Sequence, residues 1–180
     1  MEYLDIIDSK TGKNTGKKKS KSEVHKNGYW HRTVHVWFVN SKDDILLQLR
    51  AKTKEDYPNS WDISSAGHIS SGEDSITGAL REIKEEIGID VPVNELKKIG
   101  VVTQQTVLNS ETYINKEHND VYLVRADLEI DKLKIEKKEL KEVRWISILE
   151  FKKWVAEEKG NLVPHPKEYK LLFKVLEEIN

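Results

Sequence analysis

The sequence predicts an α/β fold, a sandwich of helices on a mixed sheet. Three observations carry it. Residues 76–87 hold apolar side chains at spacings of three and four, which is the signature of one amphipathic helix. Short apolar or alternating stretches lie both before and after that helix, as strands of one sheet would. Two further amphipathic stretches close the chain. The whole, residues 1–180, reads as one domain, with a hairpin and short-helix extension at 1–30 and helices at 147–180.

Taken in order, residues 3–8 are short, apolar-rich and strand-like, and Asp8-Ser9-Lys10-Thr11-Gly12-Lys13 supplies turn chemistry. The lysine-rich run 13–21 reads as a solvated loop. Ser22 can cap a short helix through Val24-His25-Lys26-Asn27, closed by Gly28. Residues 33–39 form a buried strand, 40–44 a turn, and 45–49 complete a hairpin. A polar loop containing Pro58 leads through Trp61 to Gly67. Beyond the central helix, 96–107 and 121–126 read as strands joined by the polar stretch 109–119, and 142–146 as a further strand. Ser147 caps a helix near 148–159, and the last helix runs over about 167–179 after Pro164 and Pro166.

Composition excludes several classes. Thirty basic and thirty-one acidic residues leave a net charge of −1, so nothing attracts a nucleic-acid polymer or an anionic membrane globally. There is no cysteine, hence no disulfide, no thiolate metal site and no cysteine nucleophile. No apolar run approaches the ~20 residues of a membrane span. The expectation is a cytoplasmic protein.

The chemistry concentrates at residues 67–89. Gly67 and Gly72 punctuate a turn, Glu73 and Asp74 place negative charge at a helix N-terminus, and Gly88 suits the position after the last turn. Ile76, Ala79, Leu80, Ile83 and Ile87 make the apolar stripe. On the other side Glu82, Glu85 and Glu86 stand at i, i+3 and i+4, with Arg81 four residues before Glu85. Stacked carboxylates are what a hard divalent cation requires, and are also common on a solvated acidic face.

The complete pattern decides between them. Gly67, five residues, Glu73, seven residues, then Arg81-Glu82-Ile83-Lys84-Glu85-Glu86-Ile87-Gly88-Ile89 resembles the Nudix box at every defining position. At average usage such a coincidence has a chance on the order of 10⁻⁹ per start position. The resemblance implies α/β/α layers with the box as a loop-helix-loop, and hydrolysis of a diphosphate linkage by water attack on phosphorus. It implies Mg²⁺ or Mn²⁺ held by Glu82, Glu85, Glu86 and the Gly67 carbonyl, with Glu73 and Arg81 orienting the ligands. A small-molecule diphosphate is the expected partner, and a homodimer is common in the family. A general base outside the box is open, with Glu139 and Glu142 as candidates. Arg50 and Lys52 are candidate phosphate contacts.

Outside the box, His31-Arg32-Thr33-Val34-His35-Val36-Trp37, Tyr57-Pro58-Asn59-Ser60-Trp61-Asp62 and Ala66-Gly67-His68 resemble the branch containing isopentenyl diphosphate isomerase and its hydrolase-like relatives. There the isomerase holds a metal with three histidines and two glutamates and uses a cysteine before the Gly-His pair. By that resemblance His25, His31 and His68 are candidates for a second metal or for phosphate contact, with the glutamate pair near His118 and Asp120. Read by themselves, His25 is solvated on a lysine-rich helix, His31 is hydrogen-bonded at a strand start, and His68 has either role. The cysteine position is Ala66, which can neither donate nor accept a proton. Two rivals to the hydrolase therefore remain: an isomerase of isoprenoid diphosphates, and a non-catalytic module that binds a nucleotide or diphosphate.

Overall fold

Strand β3 (His31–Val39) is buried at every position but Arg32, and the fold is arranged along it. The computed structural model describes residues 1–109 and 112–179. One edge of β3 pairs in parallel with β8 (Tyr113–Arg125), from His31 opposite Glu117 to Val39 opposite Arg125. Its other edge is divided. β6 (Ser65–His68) runs antiparallel along residues 33–36, whereas β4 (Asp44–Arg50) meets β3 only at Val39 and Ile45. The expected hairpin therefore forks. β4 departs to pair with β9 (Leu140–Ser147) and with the two-residue β5 (Trp61–Asp62). β7 (Lys97–Leu108) lies antiparallel on the outer side of β8 and completes the mixed sheet.

Alternate residues of β3 feed two cores, as the period of two requires. Trp37 and Val39 pack with Phe151, Tyr169, Leu172 and Leu176, from α3 (Ile148–Ala156) and α4 (Pro166–Ile179). Val34, Val36 and Phe38 pack with Ala79, Ile83 and Ile87 of α2 (Ser75–Ile87). Helices thus cover both faces, and each large apolar side chain so buried contributes about 1.5–3 kcal/mol. The α2 stripe is narrower than expected, because Ile76 at the first turn is exposed.

Caps set the helix limits. Asp74 accepts hydrogen bonds from the Ile76 and Thr77 amides at 2.9 and 3.0 Å. Gly88, at φ 78°, returns its N–H to the Ile83 carbonyl, a left-handed turn that costs glycine nothing. Ser147 caps α3 as expected. Pro166 opens α4 at a position where its missing N–H costs no bond.

The N-terminal segment departs from the sequence reading. The lysine-rich run is strand β2 (Asn14–Ser20), antiparallel to β1 (Tyr3–Ile7), with its lysines turned outward. Lysines on an outer strand keep it soluble without breaking its pairing, which is why composition suggested a loop. The following helix, α1 (Lys21–Asn27), is capped by Ser20 and not by Ser22. Ser20 accepts from the Glu23 amide while Glu23 accepts from the Ser20 amide, a reciprocal capping box. The polar connection expected at 109–119 is mostly strand, since β8 begins at Tyr113; residues 110 and 111 lie outside the described residues. No helix among the described residues is long and apolar enough to cross a membrane.

The two serines separate cleanly by experiment. Ser20→Ala should cost about 1 kcal/mol in urea unfolding, and Ser22→Ala should fall within a few tenths of wild type. Equal losses would contradict the assigned cap.

Candidate active site

Arg81 gathers the acidic groups of α2 and the loop before it. Its Nε and Nη2 donate to the two oxygens of Glu73, both at 2.9 Å. Nη2 also donates to the His68 carbonyl at 2.9 Å, and Nη1 to Glu82 at 2.6 Å and Glu85 at 3.1 Å. Glu73 accepts the Ser70 amide as well, so the loop and helix are tied at one guanidinium. Burial works against ionisation of Glu73, yet the Arg81 bonds hold its pKa below the ordinary value.

Glu82 and Glu86 sit differently. Glu86 is buried, and its Oε2 accepts the Ser65 hydroxyl at 2.7 Å and the Ala66 amide at 3.0 Å from β6. Burial, then the neighbouring Glu82 charge, raises the Glu86 pKa to about 8. Burial raises Glu82 as well. The Glu82 carboxylate lies against Gly67, where a Cβ would collide with it, so this position requires glycine for close approach. Glu85 is largely exposed. Carboxylates destabilised in this way, offering only oxygen donors, fit a hard divalent cation such as Mg²⁺ or Mn²⁺.

These groups form one wall of a cavity of about 960 Å³ lined by Gly67, His68, Arg81, Glu82, Glu85 and Glu86. Lys21, Arg50 and Lys54 line it too, placing cations near the carboxylates as a bound diphosphate would require. Arg50 is not free, because it bridges Asp56 at 2.5 Å and Asp62 at 3.1 Å. Lys52 is exposed and is not among the lining residues; Lys54, beyond the turn that follows β4, is. Lys54 pairs with Glu139 at 2.5 Å, which also lines the cavity, whereas Glu142 does not. None of the five tryptophans lines it; the aromatic side chains there are Tyr57 and Tyr113.

The three histidines come together. His25 Nε2 lies 3.1 Å from His68 Nε2, and the His31 and His68 rings stack at 5.2 Å. His25 is stacked on Tyr113 of β8 and buried rather than solvated. His25 Nδ1, His31 Nε2 and Asn115 Oδ1 are buried without hydrogen-bond partners among the described residues. Burial, then the nearby His31, lowers His25 to about 4, and burial holds His68 well below its ordinary value, so both present neutral rings. The carboxylate facing them is Glu117, with Oε1 3.5 Å from His31 Nε2. The expected pair near His118 and Asp120 is on the wrong face. His118 lies with Nε2 3.0 Å from the Ser9 carbonyl, and Asp120 binds Arg32 and Lys98. A shift of one residue on a strand reverses the side on which every group projects.

Sequence reading missed a second buried polar cluster. His35 Nδ1 meets Glu168 at 2.7 Å, Trp37 donates to the other Glu168 oxygen at 2.8 Å, and His165 Nε2 meets Asp62 at 3.0 Å. Its members are scattered over the chain at no diagnostic spacing. The one available signal was a histidine at position 35, inside an otherwise apolar strand.

Carboxylates from one helix, gathered over a glycine at a cavity in an α/β/α fold, define a class: domains of the Nudix type. The family model described as the NUDIX domain matches residues 29–166, and the chain belongs to the Nudix family. It is 39% identical over 182 residues to Nudix hydrolase 3 of Arabidopsis thaliana, covering 98% of this chain but 23% of the plant protein. It is also 30% identical over 132 residues to isopentenyl-diphosphate Delta-isomerase 2 of Photorhabdus laumondii, covering 73% of this chain and 71% of that one. In fold it is similar to a crystal structure from Deinococcus radiodurans, with a TM-score of 0.68 at 17% identity over 96% of this chain and 98% of that one.

The Glu86 environment yields a measurable pH dependence. Its folded-state pKa lies above the unfolded value, so the metal-free protein loses stability as pH rises from the unfolded pKa through about 8. The loss is on the order of 5 kcal/mol when complete. Glu86→Gln should raise the melting temperature of the metal-free protein at pH 9 and leave it little changed at pH 5. A variant no more stable than wild type at pH 9 would contradict the buried-charge account.

Proposed function

We propose that this protein is a divalent-metal-dependent pyrophosphohydrolase that cleaves the diphosphate linkage of a nucleoside diphosphate derivative or related diphosphate. The observation that carries the reading is the pair Glu82 and Glu86 at the cavity wall, packed on Gly67 and β6 while Arg81 holds the flanking carboxylates. A diphosphate would lie between that wall and the cations Lys21, Arg50 and Lys54. Bound Mg²⁺ or Mn²⁺ would neutralise phosphate charge and lower the pKa of a coordinated water. Glu82, Glu85, Glu86 and the Gly67 carbonyl are the groups that would hold it. Water adds to one phosphorus as the bridging P–O bond breaks, and its proton passes to a carboxylate. Glu86 is the first candidate acceptor, and Glu139, at the cavity and paired with Lys54, the second. Residues 1–180 serve as one catalytic domain in this reading.

The isomerase alternative finds no support at position 66, where a methyl group stands. The histidine cluster nevertheless supports a second ion. His25, His31 and His68 each bring a ring nitrogen within 4.8 Å of the others, and Glu117 stands 3.5 Å from His31, a nitrogen-and-oxygen donor set that suits Mn²⁺ or Zn²⁺ better than Mg²⁺.

Two experiments follow. In a panel of nucleoside di- and triphosphates, nucleotide sugars, coenzyme A and isopentenyl diphosphate, each with Mg²⁺ and Mn²⁺, at least one diphosphate should turn over. Glu86→Gln should lower that rate by about 10²–10⁴-fold. Binding without turnover would favour the non-catalytic module, and isomerised isopentenyl diphosphate would revive the isomerase. Separately, calorimetric titration with Mn²⁺ should show one fewer site in His31→Gln than in wild type; equal stoichiometry would contradict the second-ion site.

A further inference from the structure

The hydrolase reading leaves unexplained the cavity wall that faces away from α2. Thr33 and His35 of β3, Gln104 and Thr106 of β7, and His165 before α4 line it. Leu108 and Val163 are the only aliphatic side chains larger than alanine among the described lining residues. Most of these polar groups are paired within the protein: Thr33 donates to Asn119 at 3.0 Å, and His165 meets Gln104 at 2.9 Å and Asp62 at 3.0 Å. An isoprenyl chain placed there would return no hydrogen bond to any donor still free. A hydroxylated group would accept from such a donor.

His35 is the organised member of that wall. Its Nδ1 is committed to Glu168, with Asn119 at 3.5 Å on the same atom. Glu168 is fully buried, takes a second bond from Trp37, and has no lysine or arginine partner among the described residues. A buried carboxylate needs a counter-charge, and the group in contact with it is the His35 ring. Asp62 nearby is already matched by Arg50 and His165. Burial disfavours a charged His35, yet the adjacent Glu168 overrides it and raises the pKa to about 9. A ring protonated on both nitrogens has Nε2–H left to donate, and that nitrogen makes no hydrogen bond among the described residues.

Resting on the hydrolase reading, we infer that His35, oriented by Glu168, is a specificity-determining donor to an oxygen of a hydroxylated, sugar-like group attached to the substrate's diphosphate. Glu168 is a positioning residue that fixes the ring and supplies its counter-charge. The wall discriminates substrates because an apolar attached group leaves the His35 Nε2–H unpaired, a penalty that hydrogen-bonding sites impose more sharply than apolar pockets do.

The test is calorimetric binding to the full chain with Mg²⁺, using ADP-ribose, isopentenyl diphosphate and inorganic pyrophosphate. Wild type should bind ADP-ribose more tightly than pyrophosphate, with no such gain for isopentenyl diphosphate. In His35→Gln the ratio of ADP-ribose to pyrophosphate affinity should fall about 10- to 100-fold. An unchanged ratio, or a gain for isopentenyl diphosphate, would overturn the inference. Should the variant fail to fold, ¹⁵N imidazole shifts in wild type decide: the His35 Nε2 resonance should move further with ADP-ribose than with pyrophosphate, and equal movement overturns the inference. If wild type hydrolyses a diphosphate but shows no ADP-ribose preference, this inference alone falls. If it binds not even pyrophosphate, the hydrolase reading falls with it.

Discussion

One guanidinium determines whether this site can exist. Arg81 donates to Glu73, Glu82, Glu85 and the His68 carbonyl, joining the loop after β6 to the helix behind it. Without that cation, carboxylates a helical turn apart would repel one another across a surface partly shielded from water, where charge interactions are far stronger than in bulk. Burial and hydrogen bonding at Arg81 oppose each other, and the acidic neighbours prevail, leaving its pKa raised. Glu86 lies outside this clamp. It depends on Ser65 and the Ala66 amide, and its strained ionisation is the form of instability that a bound cation relieves.

The forked sheet makes room for this chemistry. β3 exchanges one partner for another along its length, meeting β4 at Val39 and β6 at residues 33–36. The groups at the fork, from Arg50 and Asp62 on one branch to Gly67 and His68 on the other, line the same cavity. The cost is a sheet interior loaded with polar side chains. Glu117, His118, Asn119 and Asp120 are consecutive and all buried, which β8 tolerates because each has a partner: His31, the Ser9 carbonyl, Thr33, and Arg32 with Lys98. Two of the three unpartnered buried atoms among the described residues belong to His25 and His31 of the histidine cluster.

Legibility in the sequence followed the same division. α2 was readable because its cap, stripe and terminal glycine agree with one another and with its tertiary packing. The strands that fill the apolar cores were readable for the same reason. β2 and the first half of β8 were not, since lysines on one and Asn115 to Asp120 on the other override any strand signal in composition. The box residues were found as a set, and so were the three histidines, whose grouping came from resemblance rather than pattern. Glu117 was missed by one residue, and Lys21, Lys54, His35 and Glu168 could not be seen, because only the folded backbone brings positions so far apart in the chain to one cavity.

The central claim is that the α2 carboxylates hold a divalent cation against Gly67. Crystals soaked in Mn²⁺ and measured by anomalous scattering test it directly. The account predicts a peak bounded by the carboxylates of Glu82 and Glu86 and the Gly67 carbonyl, with or without a second peak among His25, His31 and His68. Density confined to the histidine cluster, or none near α2, would contradict it.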